Sequence, residues 1–173
     1  MTGNMIVDVA DAPVALIANI PDSQLAGSGF YNAAYHYSRS RLHTQQNDDG
    51  NNGRGAWRAD RNNVGEYIQA DFGQQQRIQA IATQGRHDRY HWVRSYKFAY
   101  STDGVTYHYV TNIDGSDRVF VGNSDRHTVV EHIFDVPFIA QFVRLYTLAW
   151  HDQMCLRWEV YGCSYNGYCC GHT

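Results

Sequence analysis

Strand-like segments follow one another at short spacing along this chain, and no apolar run keeps a helical period for more than two turns. Together these signals place the fold in the all-β class. The clearest segment is Val93–Tyr100, where Val93, Ser95, Lys97 and Ala99 alternate with Arg94, Tyr96, Phe98 and Tyr100. Aromatic and β-branched residues at a period of two fit a pleated, half-buried surface. Further strands are predicted at Glu66–Phe72, Ile78–Gln84, Val105–Val110, Val129–Phe134, Gln141–Tyr146 and Leu156–Tyr161, with shorter strand-like pieces at Met5–Val9 and Val14–Ile20. Many short strands with turn signals between them suit two packed sheets.

The segment between the second and third of these strands has a different character. Gly85 ends the strand Ile78–Gln84, and Arg86, His87, Asp88, Arg89, Tyr90, His91 and Trp92 follow without an apolar interruption. Such a run makes poor strand interior and a good loop surface, rich in donors, acceptors and flat rings. A loop held between two rigid strands is a common place for a binding site. Trp92 closes the loop and is ambiguous, half burial beneath the site being one option, while Trp57, Trp150 and Trp158 are expected in or near the core.

Composition narrows the function. The formal net charge is −3, which argues against nucleic acid as a partner. Lys97 is the only lysine, so nearly all positive charge is arginine, the side chain suited to planar, bidentate recognition and to stacking on rings. Thirteen tyrosines supply contact faces with a polar tip. No nucleophile elbow, phosphate-binding loop, zinc-protease helix or zinc-ribbon spacing occurs, so the chain is read as non-catalytic and without a cofactor. The polar stretch Thr44–Gly55 is a loop in which Asp48 and Asp49 are weak calcium candidates; the spacing of a calcium-binding hand is absent, and a solvated turn is the preferred reading. The run Met5–Ile20 is broken by Asp8, Asp11, Pro13 and Asn19 and has no basic segment before it, so it reads neither as a membrane span nor as a secretory signal. Asp71, Arg144 and Arg157 lie among apolar strand residues and are expected to form internal ion pairs.

Several blocks in order carry a family resemblance: IPDSQL (Ile20–Leu25), GAW (Gly55–Trp57), EYIQADFG (Glu66–Gly73), TQGR with WV.SYK.AYS.DGVT across Thr83–Thr106, VFVGNSDRHTVV (Val119–Val130), FIAQFVRLYTLAWH (Phe138–His151) and LRWEVYGC (Leu156–Cys163). They resemble the discoidin domain, also called the coagulation factor V/VIII type C domain. The resemblance implies a jelly-roll β-sandwich spanning 20–163, with a 1–19 N-terminal extension and a 164–173 tail, and with ligand loops projecting from one end. It places the loops Tyr31–Tyr37 and Asp60–Gly65 beside the central loop. The ligand-binding candidates are therefore Tyr35, His36, Asp60, Arg61, Arg86, His87, Asp88, Arg89, Tyr90 and His91. Many extracellular relatives tie the domain ends with a disulfide at the position of Cys163. The first thirty residues here have no cysteine, which leaves Cys163 able to pair with Cys169 or Cys170, or four free thiols in a reducing compartment. Cys155 is expected to be a free buried thiol. Cys169 and Cys170 with His172 suit a soft metal or a cross-link in a homo-oligomer, although a loose terminus is preferred.

The resemblance also orders the ligand classes. The slime-mould lectins of the family bind galactose and N-acetylgalactosamine and lack a signal peptide; they match best around QGR…WV.SY, though their Arg-Gly-Asp attachment triplet reads Arg86-His87-Asp88 here. The clotting relatives bind phosphatidylserine through apolar loop tips with basic residues behind them. This chain supplies Arg54, Arg61, Arg86 and Arg89 but only Val64 and tyrosines as tips. A cell-adhesion lectin acting on surface or matrix glycans is thus expected ahead of a binder of anionic phospholipid or of a matrix protein. The setting implied is extracellular or cell-surface, reached by unconventional release if the chain is made in the cytosol. Arg86 and Asp88 are expected to offer donors and acceptors to the ligand, so that Arg86→Ala or Asp88→Ala removes binding with the melting temperature nearly unchanged; the alternative is an exposed ion pair across the loop.

Overall fold

A computed structural model describes residues 12–165. Nine strands form an antiparallel array: β1 (Val14–Ala15), β2 (Leu25–Gly27), β3 (Trp57–Arg58), β4 (Tyr67–Gln84), β5 (Trp92–Ser101), β6 (His108–Tyr109), β7 (Phe120–Val121), β8 (Val130–His151) and β9 (Cys155–Ser164). The main path runs β1-β9-β4-β8-β5-β6, with β2 on β4, β3 on β9 and β7 on β5. Short 3-10 turns at Ala33–Tyr35 and Tyr37–Ser40 precede β3. Among the described residues no helix is long and apolar enough to cross a membrane.

The two long strands make the sandwich. The first half of β4 lies between β2 and the second half of β8, with Ile68 opposite Leu145. Its second half lies between β9 and the first half of β8, with Ile81 opposite Val160 and His132. The pairing shifts between Asp71 and Gln76 and again between Ile78 and Ala80, so one chain segment serves both sheets. Gly73 sits in the first irregularity at φ 74°, a conformation that favours glycine. Two pairs of predicted strands, Glu66–Phe72 with Ile78–Gln84 and Val129–Phe134 with Gln141–Tyr146, are therefore each one bent strand. The predicted strand Val105–Val110 contracts to His108–Tyr109, because Val105 projects into solvent at 83% exposure.

Between the sheets lies one core that includes Trp57, Ile68, Ile81, Val93, Phe98, Leu145, Trp158 and Val160. Phe98 stacks on Phe134 at 5.7 Å, and Tyr96 on Phe120 at 5.5 Å. The buried indoles keep partners for their N–H groups: Trp57 donates to the Gly29 carbonyl at 3.0 Å and Trp158 to Ser40 Oγ at 3.1 Å. Trp150 is partly buried against this core. At the sheet edge β1 pairs with β9, and the buried carboxylate of Glu159 accepts the backbone N–H groups of Ile17 at 2.6 Å and Ala18 at 3.0 Å. Met5–Val9 and the tail with Cys169, Cys170 and His172 lie outside the described residues.

The charges expected to pair within the strands are satisfied otherwise. Arg157, 2% exposed, donates to three backbone carbonyls: Gly85 at 2.7 Å, Thr44 at 2.9 Å and Arg126 at 2.7 Å. Arg144 donates to Gln69 Oε1 at 2.7 Å and Tyr146 Oη at 3.0 Å, and lies 3.9 Å from the Tyr107 ring centre. The Asp71 carboxylate accepts from Gln141 and from the Gly73 N–H. Carbonyls, amides and rings take the place of counter-charges at all three positions.

Candidate functional site

One end of the sandwich gathers the loop between β4 and β5 (85–91), the polar loop before β3 (42–56), the segment after β7 (122–129) and the turn between β8 and β9 (152–154). Several side chains of the framework fasten these loops. Arg157 spans three of them as described. Gln84 accepts the His43 N–H at 2.9 Å and donates to the His127 carbonyl at 2.9 Å. Asn123 donates to the carbonyls of Thr83 at 3.0 Å and Thr128 at 2.9 Å. The polar loop is closed over Arg39, 7% exposed, which donates to the carbonyls of Arg54 at 2.8 Å and Gln45 at 2.6 Å and pairs with Asp48 at 2.7 Å and Asp49 at 3.4 Å. The two weak calcium candidates thus face a guanidinium. Among the described residues no three His, Cys, Asp or Glu side chains cluster as a metal site.

The central loop folds onto the polar loop. The His87 N–H donates to the Gly55 carbonyl at 2.9 Å, and the Gly55 N–H donates to Asp88 Oδ1 at 3.1 Å. A Cβ at Gly55 would sit 2.5 Å from the Cβ of His87, so only glycine permits the approach. Arg86 Nε and Nη2 donate to the two Asp88 oxygens at 2.8 and 2.7 Å, a bidentate pair. Their side chains are 4% and 8% exposed. This corrects the expectation that either side chain can be removed with the melting temperature nearly unchanged: the two are paired, the loop curls inward, and both charges are withdrawn from water. Burial alone would raise the Asp88 carboxyl; the hydrogen bonds and charge of Arg86 and the Gly55 N–H outweigh it and hold the group at about 2.

Above this pair opens a cleft of about 370 Å³ lined by Tyr35, Arg54, Arg58, Arg86, Arg89, His91 and Gln153. The Tyr35 ring centre lies 5.0 Å from the Arg86 guanidinium. Arg58 lies 3.8 Å over the Tyr31 ring and donates to Gln153 Oε1 at 2.7 Å. His91 Nε2 contacts Asp152 at 2.9 Å, while its Nδ1 stands 3.8 Å from the Cys155 sulfur. Burial and the Arg86 charge lower the His91 pKa, against the opposing pull of Asp152. Cys155 is a free, fully buried thiol on β9; burial pushes it up to about 12 although Arg86 and Arg58 act the other way.

Of the candidates read from sequence, Tyr35, Arg86, Arg89 and His91 line the cleft and Asp88 supports it from beneath. His36 faces elsewhere: its ring packs on Phe30 at 4.9 Å and its Nδ1 accepts the Ser38 N–H at 3.1 Å. His87 turns to the other side of the loop, where it accepts from Gln46 at 3.3 Å and meets the His127 ring at 5.6 Å. Tyr90 lies under Arg126 at 4.5 Å in a neighbouring groove with Trp92 and His127. Trp92 itself is half buried and stacked on His151 at 4.3 Å. Asp60 and Arg61 are exposed, 3.7 Å apart and outside the cleft. Arg58, Gln153 and the rim residue Asp152 were not anticipated. Arg58 reaches the site because β3 pairs with β9 (Trp57 opposite Leu156), and Gln153 because Asp152 turns the chain at φ 60°. The one local signal was the Asp at a tight turn.

A polar cleft built from loops at one end of an antiparallel sandwich is a geometry suited to binding; the one thiol near an imidazole there, Cys155 beside His91, is fully buried and its pKa is raised. The F5/8 type C domain model matches residues 30–160, and the chain belongs to that family. Lactadherin of Rattus norvegicus is 37% identical over 160 residues, which is 87% of this chain and 36% of that protein. The chain thus spans about a third of the length of such relatives. Recombinant discoidin II of Dictyostelium discoideum superposes with a TM-score of 0.78 at 28% identity, over 90% of this chain and 61% of that one. The family 32 carbohydrate-binding module of Clostridium perfringens NanJ, solved with galactose, shares the jelly-roll fold at a TM-score of 0.56 and 12% identity, over 87% and 98% of the two chains.

Proposed function

We propose that this domain is a non-catalytic, lectin-like adhesion module that binds galactose-type sugars of surface or matrix glycans in the cleft above Arg86 and Asp88. The observation that carries the reading is the buried, bidentate Arg86–Asp88 pair beneath an open polar cleft. A sugar presents hydroxyls in fixed directions, and a site recognises them well when its polar groups are already oriented. Tyr35, Arg58, His91 and Gln153 are each positioned by a neighbour, so little order remains to be imposed on binding. The placement of exposed apolar groups favours sugar over lipid. Val105 lies past the far end of β5, and Ile113 and Val136 flank a separate groove at the sandwich edge; in the loops of the cleft end the exposed apolar groups are Val64, Val129 and tyrosines, with no exposed Trp, Phe or Leu among the described residues. An extracellular or cell-surface setting fits this role.

Calorimetry and a glycan array decide the matter. Galactose- and N-acetylgalactosamine-terminated glycans are expected to bind with micromolar-to-millimolar affinity, and phosphatidylserine vesicles weakly. A blank array together with strong, salt-sensitive vesicle binding would reject the sugar reading.

A further inference from the structure

The cleft carries more positive charge than a neutral sugar needs. Four of its seven lining residues are arginines, and only Arg86 has a carboxylate partner. Arg58 is held by the amide oxygen of Gln153, and its Nε is buried with no acceptor. Among the described residues, the Arg54 and Arg89 side chains have neither a hydrogen bond nor an ion pair. Asp152, the carboxylate that contacts His91, is engaged by that contact. All this stands in a chain whose formal net charge is −3, so the cation excess is local to this concavity. Walls that exclude water focus such a field on whatever enters. The lowered proton affinity of His91, to which burial, Arg86 and Arg58 contribute, is a second sign of that field.

We infer that the cleft takes an acidic saccharide: a galactose-type sugar carrying a carboxylate or a sulfate ester, with Arg54, Arg58 and Arg89 holding the anionic group. The inference rests on the sugar reading above and specifies it. Guanidinium forks match the planar carboxylate and the tetrahedral sulfate through paired N–H donors. Tyr35, buried beside Arg58 and Arg86, forms part of the wall, and the Gln153 amide N–H remains for a hydroxyl. A bilayer headgroup would bring the same charge, but the exposed apolar groups of the cleft end are valines and tyrosines, with no exposed Trp, Phe or Leu among the described residues to follow it into acyl chains.

The test compares N-acetyllactosamine with its sulfated and its sialylated derivatives by calorimetry on the intact chain. At least one acidic derivative is expected to bind about tenfold tighter than the neutral parent at low ionic strength, the equivalent of one charge-assisted contact. That ratio should shrink in about 0.5 M salt, where charges are screened within a few ångströms. Arg54→Gln and Arg89→Gln, both at exposed or half-exposed positions, should bring the ratio toward one while the melting temperature holds. Equal affinity for neutral and acidic sugars would overturn the inference and leave the sugar reading standing. Sodium sulfate alone inhibiting as well as the sulfated sugar, or a ratio unaltered in both variants, would also overturn it. Phosphatidylserine vesicles bound with no saccharide bound would overturn both readings.

Discussion

Asp88→Asn isolates the energetics of the pair beneath the cleft. The amide keeps an oxygen to accept from Arg86 Nε and from the Gly55 N–H, but it places its NH2 against Arg86 Nη2, which now donates to Asp88 Oδ2 at 2.7 Å. The change leaves a guanidinium that is 4% exposed without a counter-charge. Two routes bound the cost. The fall of the carboxyl from its ordinary 3.8 to about 2 corresponds to roughly 2 kcal/mol of folding stability. Removing one partner of a buried pair costs about 3–5 kcal/mol, because the stranded charge is penalised as well. The amide retains one acceptor, so about 3 kcal/mol is expected, a drop of roughly 6–12 °C in melting temperature for a chain of this size. The pH dependence supplies a sharper test. The native pKa lies below the unfolded one, so the stabilisation is complete above about pH 4 and fades as pH falls through about 2. The gap between wild type and Asp88→Asn, followed by scanning calorimetry or denaturant titration, should close over that interval. A gap below about 2 °C at neutral pH, or one that stays constant down to pH 2, would refute the reasoning. A paired Arg86→Met/Asp88→Leu variant should recover part of the loss, since it removes both charges together.

Arg157→Leu should raise amide exchange in the segments 42–54, 85–91 and 122–128 well above that of the β4–β9 ladder, since the buried Gly85 carbonyl loses its donor at about 1–3 kcal/mol and the part-buried Thr44 and Arg126 carbonyls lose theirs at a smaller cost; unchanged exchange there would show the loops to be held by other means. The Cys155 thiol, pushed up to about 12 by burial, should resist alkylation at pH 8 in the native protein and react on denaturation, and non-reducing peptide maps should recover its peptide alone. His91 titrates below its usual 6.5, so sugar binding should be flat from pH 8 to 6.5 and change only below that; an inflection above 6.5 would remove His91 from the site.

The sequence disclosed the strands where alternation was sustained and hid them where a strand bends. Val93–Tyr100 is recovered within β5 from Trp92 to Ser101, although Val93, read onto the opposite face from Tyr96 and Phe98, shares their core because the pairing with β8 shifts between Val93 and Tyr96. At Gly73–Gln75 the exposed residues read as a loop, yet the chain passes through them from one sheet to the other without leaving the strand. Arg86, Asp88 and Tyr35 were legible as neighbours through the ordered family blocks. Arg58 and Gln153 depend on which strand pairs with β3, a non-local fact with no local trace. The expected ion pairs at Arg144 and Arg157 failed for a related reason: backbone carbonyls occur at every residue, so an arginine whose partners are carbonyls looks the same in sequence as one awaiting an acid.

Arg157 has a bearing on how this domain can be diversified. It grips the loops through the oxygens of Gly85, Thr44 and Arg126, atoms that every amino acid carries. The anchor is therefore indifferent to the side chains displayed around it. Residues such as Gln46, Arg54, Arg89, Tyr90 and Ser124 can be exchanged wholesale while the loops keep their seat, provided Gly55 and the Arg86–Asp88 pair are kept. A library randomised at those tips, selected against new glycans, would vary the paratope on a foundation that does not read it.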